Sequence, residues 1–334
     1  MKDIARDLNV SVVTVSKVLR NHSDISPETT ERVLQRIREL NYRPNVAARS
    51  LVTGRSFILG LVVPDLTHPF FGEIAKAITS VSRPRGYSLV IASAEDDPDL
   101  ELAEVEALLA RQVDAIILAS SQTSAQATLF QRLEERRTPI VLMDRALSGV
   151  KADFVGVDDE QVGWMATNHL IERGCRRIAH IRGPEISPGI GRFLGYRKAL
   201  AQHQIEVPLH YVVKTPSADD RGSESGYDAM RELLASQTPP DGVFCFNDEL
   251  AIGALRAIFE ANLRVPEDIA VIGVGNMRQT DLLRVPLTTI DQSSAKMGEQ
   301  AALSALKIIE SKSAIAPTSI LVPVRLIERA STAR

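Results

Sequence analysis

Asp3-Ile4-Ala5-Arg6-Asp7-Leu8-Asn9-Val10-Ser11-Val12-Val13-Thr14-Val15-Ser16-Lys17-Val18-Leu19-Arg20-Asn21 reads as two short helices joined by a tight turn. Ile4, Ala5 and Leu8 make one apolar stripe at helical spacing, and Ala5 is small enough for a second helix to cross closely. Asn9 falls where the turn needs a left-handed backbone, which Asn tolerates better than any residue but Gly. Ser11 suits the N-cap of the next helix. On that helix Val15, Val18 and Leu19 face inward, while Val12, Val13, Ser16, Lys17 and Arg20 form an outward stripe. Two valines and a lysine on an outer face near a helix N-terminus make poor surface chemistry and good base-edge chemistry. That is the pattern of a helix-turn-helix whose second helix enters a DNA major groove. A plain packing unit fits the same residues, as it does for any short helix pair.

Length and charge narrow the choice. At 334 residues the chain suits two or three domains, and 44% hydrophobic with 24% charged residues is ordinary for a globular protein. The formal net charge of −3 does not by itself suggest nucleic acid, but its distribution does. Residues 1–55 hold ten Lys and Arg against six Asp and Glu, and the remainder holds 29 against 36. A basic head on an acidic body fits a DNA-binding module fused to something else. Cys175 and Cys245 are too few for a disulfide framework or a cysteine zinc site. Met1 runs directly into a charged amphipathic helix, and no apolar run reaches the roughly 18 residues that span a bilayer, so a cytoplasmic or nucleoid-bound protein is expected.

Beyond Asn21, Ser26 as N-cap, Pro27 at the first helical position and Glu28 in the first turn mark a third helix. Val33, Ile37 and Leu40 on it are spaced to close a small core over the first two. Pro44 ends that helix, Asn45 can cap another, and Gly54 limits the new one to about two turns, too short to stand alone in water. The segment reads as a hinge that folds when DNA or a second copy holds it, or as a plain linker.

From Phe57 the texture changes. Apolar runs of strand length at 58–63, 87–92, 115–119 and 140–143 alternate with amphipathic stretches at 70–81, 100–112 and 125–136. The pattern restarts after Val155-Gly156-Val157-Asp158, with strands near 178–181, 211–213, 242–246 and 269–273 and helices near 161–173, 192–203, 225–236 and 250–262. Continuous apolar strands alternating with helices indicate βαβ units in a parallel sheet covered on both faces. Two such blocks make two doubly wound lobes with a cleft between them. Ligands sit off the carboxyl ends of such strands, which points to 65–71, Asp144-Arg145, 183–192, Asn247-Asp248 and 275–278.

No catalytic constellation accompanies this pattern. The six histidines show no metal spacing, and neither a nucleophile elbow nor a phosphate-binding glycine loop is present. Adjacent carboxylates at Asp96-Asp97 and Asp158-Asp159 point apart on a helix or loop and read as solvated surface. No enzyme, cofactor or metal is expected.

Taken together, the motifs resemble the LacI/GalR family of transcriptional regulators. Asp3-Ile4-Ala5 with 10–19, and Tyr42-Arg43-Pro44-Asn45 leading into Ala47-Ala48-Arg49-Ser50-Leu51, carry the likeness in the head. Gly60–Pro64, His68–Phe71, Gly174–Pro184, Asn247–Gly253, Arg264–Asp268 and Pro286–Ile290 carry it through the body. The resemblance implies an all-α helix-turn-helix head on an α/β body like a periplasmic binding protein, acting as a homodimer on pseudo-palindromic operator DNA under a sugar-like effector. The expected domains are residues 1–44 for the head and 45–56 for the hinge. The first lobe takes 57–157 with 291–316, and the second takes 158–290 with 317–331. By position, Val12, Val13 and Lys17 are expected at base edges and Ser11, Thr14, Ser16, Asn21 and Tyr42 at phosphates. Asn45 belongs to the hinge, and Leu51 is expected to wedge into the minor groove.

For the effector the resemblance implies Phe71, Arg145, Arg192 and Asn247. Many sugar-sensing members have an aspartate where this chain has Gly275, and Arg221 stands where some have an aromatic plate. Two readings stay open: an anionic effector held by arginine forks, or a neutral sugar with Asn276 replacing the aspartate. Met1-Lys2 stand where family members have several residues, which implies either a start codon called late or a head that binds DNA more weakly. Ser331–Arg334 leaves no room for a tetramerising heptad tail. The rival readings are a solute-binding protein without DNA regulation and a doubly wound enzyme.

Overall fold

The computed structural model describes residues 1–19, 24–41, 54–123, 128–206, 208–215, 222–311, 313 and 316–334. The chain divides into two compact units, Met1–Ser56 and Phe57–Arg334.

In the first unit, α1 (Lys2–Asp7), α2 (Val12–Leu19) and α3 (Pro27–Glu39) close over Ile4, Ala5, Val15, Val18 and Val33. Asn9 has φ +53°, which the turn requires. The Ser26 side chain caps α3 by accepting from the Thr29 amide, with Pro27 at its start. The expected core contribution of Leu40 is not met: it lies one residue past α3 and is 42% exposed. Ile37 closes that end instead, packed against the core and half-buried. Arg36 Nε donates to Asp7 Oδ2 at 3.0 Å and ties α3 to α1 across the core.

The second unit holds two six-stranded sheets. The strands β1 (Ile58–Val63), β2 (Ser88–Ser93), β3 (Ala115–Leu118), β4 (Ile140–Met143), β5 (Asp153–Gly156) and β11 (Ser319–Leu321) form the first, in the order β11-β5-β4-β3-β1-β2. The second contains β6 (Ile178–Arg182), β7 (Val212–Lys214), β8 (Gly242–Cys245), β9 (Ala270–Val274), β10 (Thr288–Asp291) and β12 (Arg325–Ile327), in the order β12-β10-β9-β8-β6-β7. All pairings are parallel except β10 with β12. β3, β8 and β9 are buried along their whole length, as continuous apolar strands between two helix layers must be. β2 departs from that expectation because it is an edge strand, and much of it is open to solvent.

Helices α4 (Pro69–Ser82), α5 (Pro98–Ala110), α6 (Thr128–Arg136) and α11 (Ser294–Glu310) belong with the first sheet. The second carries α7 (Asp159–Glu172), α8 (Ser187–Gln202), α9 (Gly222–Leu234) and α10 (Asp248–Glu260). The chain passes between the sheets after β5, after β10 and between β11 and β12. The last passage corrects the expected boundary at 316/317. Ser319–Leu321 still pairs with Phe154–Gly156 of the first sheet, so the crossing comes after Leu321. Among the described residues no helix is long and apolar enough to cross a membrane.

Helices α7 and α8 pack backbone to backbone. A Cβ on Gly195 would overlap the Glu160 carbonyl oxygen, and one on Gly163 would overlap the carbonyl of Arg192. Glycine is required there by contact, and neither backbone can yield without moving its helix. Gly195→Ala is expected to destabilise the body by about 3 kcal/mol, read as a lower urea midpoint with an unchanged slope. An unaltered midpoint would show that the two helices separate freely.

Candidate functional site

On the head, Ser11 Oγ accepts from the Thr14 amide at 3.0 Å and lies 2.9 Å from Thr14 Oγ1, which caps α2 as its sequence suggests. Val15 and Val18 turn into the core, and Val12 and Val13 stand 40% and 61% exposed. Ser16 is half-buried on the same helix. Lys17 is engaged: its Nζ forms an ion pair with Asp24 Oδ2. Asn21, Tyr42, Asn45, Leu51 and Arg221 lie outside the described residues.

In the body, loops from the carboxyl ends of both sheets enclose a cavity of about 30 Å³ lined by Phe71, Asp144, Arg145, Arg192, Asn247, Gly275 and Gln292, among others. That is room for a water molecule, not for a sugar, so the lobes stand closed. Phe71 is buried, with its ring at 77° to Phe70 and centroids 5.1 Å apart. Asn247 caps α10 by accepting from the Leu250 amide at 2.9 Å.

Both arginines are buried, and each guanidinium meets a carboxylate. Arg192 Nε donates to Asp159 Oδ1 at 3.0 Å, Nη1 donates to the Phe246 carbonyl at 2.7 Å, and the guanidinium lies 4.4 Å from the centre of the Phe246 ring. Arg145 Nη1 donates to Asp96 Oδ1 at 2.6 Å. The adjacent carboxylates read as solvated surface are therefore corrected in part. They do point apart, but only one of each pair faces solvent as a helix cap. Asp97 caps α5 and Asp158 caps α7, while Asp96 and Asp159 hold the arginines. The Asp159 side chain is 11% exposed, and burial pushes its pKa up to about 6 against the pull of Arg192. Asp144, at φ +63°, is raised as well, by burial, with Arg192 and Arg145 opposing.

Asn276 does not line the cavity. Its Oδ1 accepts from Arg329 Nη2 at 2.8 Å, and it borders a separate opening of about 270 Å³ with Glu73, Lys76 and Arg278. Behind Gly275 the buried Asp248 accepts from Thr289 Oγ1 at 2.6 Å and from the Met277 amide at 2.9 Å, fixing the loop. Gln292 was not legible as a site residue. It lies buried at the passage out of β10, lines the cavity, and its Nε2 has no hydrogen-bond partner among the described residues. Its neighbours Thr288, Thr289 and Asp291 are polar as well, so no sequence signal set Gln292 apart.

Comparison with known proteins adds three findings. Residues 1–45 match the model of bacterial regulatory proteins, lacI family, and residues 167–332 match the periplasmic binding protein-like domain. The chain is 38% identical over 338 residues to the HTH-type transcriptional repressor PurR of Escherichia fergusonii, covering all of this chain and 96% of that protein. Among solved structures, the lac repressor dimer bound to operator and the anti-inducer ONPF superposes with a TM-score of 0.84 at 27% identity, covering 99% of this chain and 98% of that one. The transcriptional regulator CelR in complex with cellobiose gives 0.75 at 31% identity, covering 98% of each chain.

The Asp159 carboxyl yields a pH test. With its folded pKa raised from 3.8 to about 6, Asp159 favours the folded state at low pH, and that contribution is lost as pH rises through this window. The parent chain should lose stability relative to Asp159→Asn between those pH values. Urea midpoints that differ by the same amount at both ends would show that Arg192 offsets the burial in full.

Proposed function

Because this chain belongs to the LacI family of bacterial regulatory proteins, we propose that it is a homodimeric repressor that reads a pseudo-palindromic operator through Val12 and Val13. It is a DNA-binding transcriptional regulator under small-molecule control, not an enzyme, and it works in the cytoplasm beside the DNA it reads. The observation that carries the reading is the pair of exposed valines on a helix whose other apolar residues face the core, Val15 and Val18 buried and Leu19 half-buried against it. Val12 and Val13 pack on thymine methyls, and Ser11, Thr14 and Ser16 hold phosphates. Residues 45–56 are the hinge, and its Leu51 enters the minor groove of the operator, where an apolar wedge unstacks a base step.

The effector sits between the lobes, held by Phe71, Arg145, Arg192, Asn247 and Gln292. Its binding biases the spacing of the lobes and, through the dimer, of the two hinge segments. A neutral polyhydroxyl compound suits the cleft better than an anion. Asp96 and Asp159 already balance the two arginines, and Asp144 adds a carboxylate at the cavity wall. Asn276 is bound to Arg329, so Gln292 supplies the free amide.

Two measurements test these statements. Duplexes enriched from a random library by the full-length protein should be pseudo-palindromic, and Leu51→Ala should weaken binding to them by about tenfold or more while leaving effector affinity unchanged. A change within about twofold would remove Leu51 from the mechanism. Calorimetry with paired neutral and acidic sugars should favour the neutral partner, and a preference for the acids would overturn the neutral reading.

A further inference from the structure

The Lys17–Asp24 ion pair has no place in the DNA-reading scheme above, yet it changes the charge of the reading face. Lys17 is the only ionisable residue of α2, whose eight residues are Val12-Val13-Thr14-Val15-Ser16-Lys17-Val18-Leu19. The helix carries no acid of its own, so its neutralising partner must come from elsewhere. It comes from Asp24, seven residues on, just before the Ser26 cap of α3. The two side chains are 36% and 53% exposed, so neither is needed to fill the core. Other cations of the head are matched in the same way. Arg6 pairs with Asp3 at 3.3 Å, Arg36 with Asp7 at 2.5 Å and Arg38 with Glu31 at 3.2 Å.

We propose that Asp24 is a specificity-determining residue of the head, holding the Lys17 ammonium as a neutral pair and so withdrawing it from the DNA backbone. This rests on the DNA-reading role assigned to α2. Charge attracts any duplex, because each phosphate releases a counterion whatever its base. Methyl contacts from Val12 and Val13 form only where thymine methyls lie in register. Neutralising Lys17 therefore removes sequence-independent attraction and leaves the sequence-dependent part in place. On a matched site the valines fix α2 against the bases, and Lys17, one turn beyond Val13, stands over the groove. On unmatched DNA the head is free to settle wherever a released Lys17 would meet a phosphate, so the pair suppresses binding most where binding is unwanted.

The test uses the full-length protein with two probes: the duplex enriched by the parent chain, and a random-sequence duplex of equal length. The parent, Asp24→Asn, Lys17→Ala and the double variant are titrated on both across a salt series. Asp24→Asn should tighten binding to the random duplex by about three- to tenfold and steepen the salt dependence by about one unit per head. Its effect on the enriched duplex should be smaller, so discrimination falls. In the Lys17→Ala background the gain should shrink below about 1.5-fold, because the cation it would release is gone. A gain that persists undiminished there would mean simple repulsion between Asp24 and phosphates, and would overturn the proposal. So would equal gains on both duplexes, or no gain at all. If the parent chain enriches no duplex, the DNA-reading role itself fails, an outcome distinct from a well-behaved parent with an inert Asp24→Asn.

Discussion

The body depends on keeping two guanidinium groups out of water at the junction of its lobes. An arginine buried without acceptors would cost several kcal/mol, and both lobes meet that demand with one device. A pair of adjacent aspartates stands at the start of a helix. One member caps the helix and the other turns inward to an arginine: Asp97 and Asp96 in the first lobe, Asp158 and Asp159 in the second. Neighbouring residues at a helix start point in different directions, so a single dipeptide can serve both ends. The second lobe adds the Phe246 carbonyl and ring, and Gly163 lets the backbone of Arg192 approach α7 without a side chain between them. The glycine contacts of α7 with α8 are therefore part of how the cleft is built.

A different balance governs the head. Among the described residues its core is five buried side chains, with caps at its helix ends and ion pairs such as Arg36 with Asp7 on its surface. Exposed pairs of this kind add little stability, but they decide how much charge the head presents. A basic count over residues 1–55 overstates the attraction for DNA, because several of the cations counted are already matched.

The sequence was most informative where one physical requirement acted alone. β3, β8 and β9 are buried on both faces, so their apolar runs are uninterrupted and their bounds nearly legible. The N-cap at Ser11 and the left-handed Asn9 follow from local backbone needs, and both were readable. Legibility failed where a residue's role depends on a distant partner. Asp96 and Asp159 look like surface acids until Arg145 and Arg192 are seen beside them, and Leu40 fits the helical period of α3 but lies beyond its end. The three-residue strands β11 and β12 are too short for any period to show, which is why the last passage between the lobes was placed too early. Gln292 was hidden for the same reason, since its importance comes from the passage it occupies and not from its neighbours in sequence.

That passage links binding to shape. The closed lobes are joined across the cleft by Ser187 Oγ accepting from the Ala146 amide at 2.7 Å, and by Arg278 with Glu73 at 3.5 Å. Asp144 of the first lobe is drawn electrostatically toward Arg192 of the second, while burial opposes its ionisation. The closed state thus holds a carboxylate poor in solvent and an amide, Gln292 Nε2, that lacks a partner among the described residues. On the proposed reading a hydroxyl-rich ligand would satisfy both, donating to Asp144 and accepting from Gln292, and the 30 Å³ cavity would have to widen to admit it. On that reading, binding would favour a lobe spacing wider than this closed one. A ligand shifts such an equilibrium only by the difference in its affinity for the two spacings. On that reading the unmet polar groups at the cleft would supply that difference, and the three crossings of the chain between the sheets are the covalent connections through which a change of angle would pass.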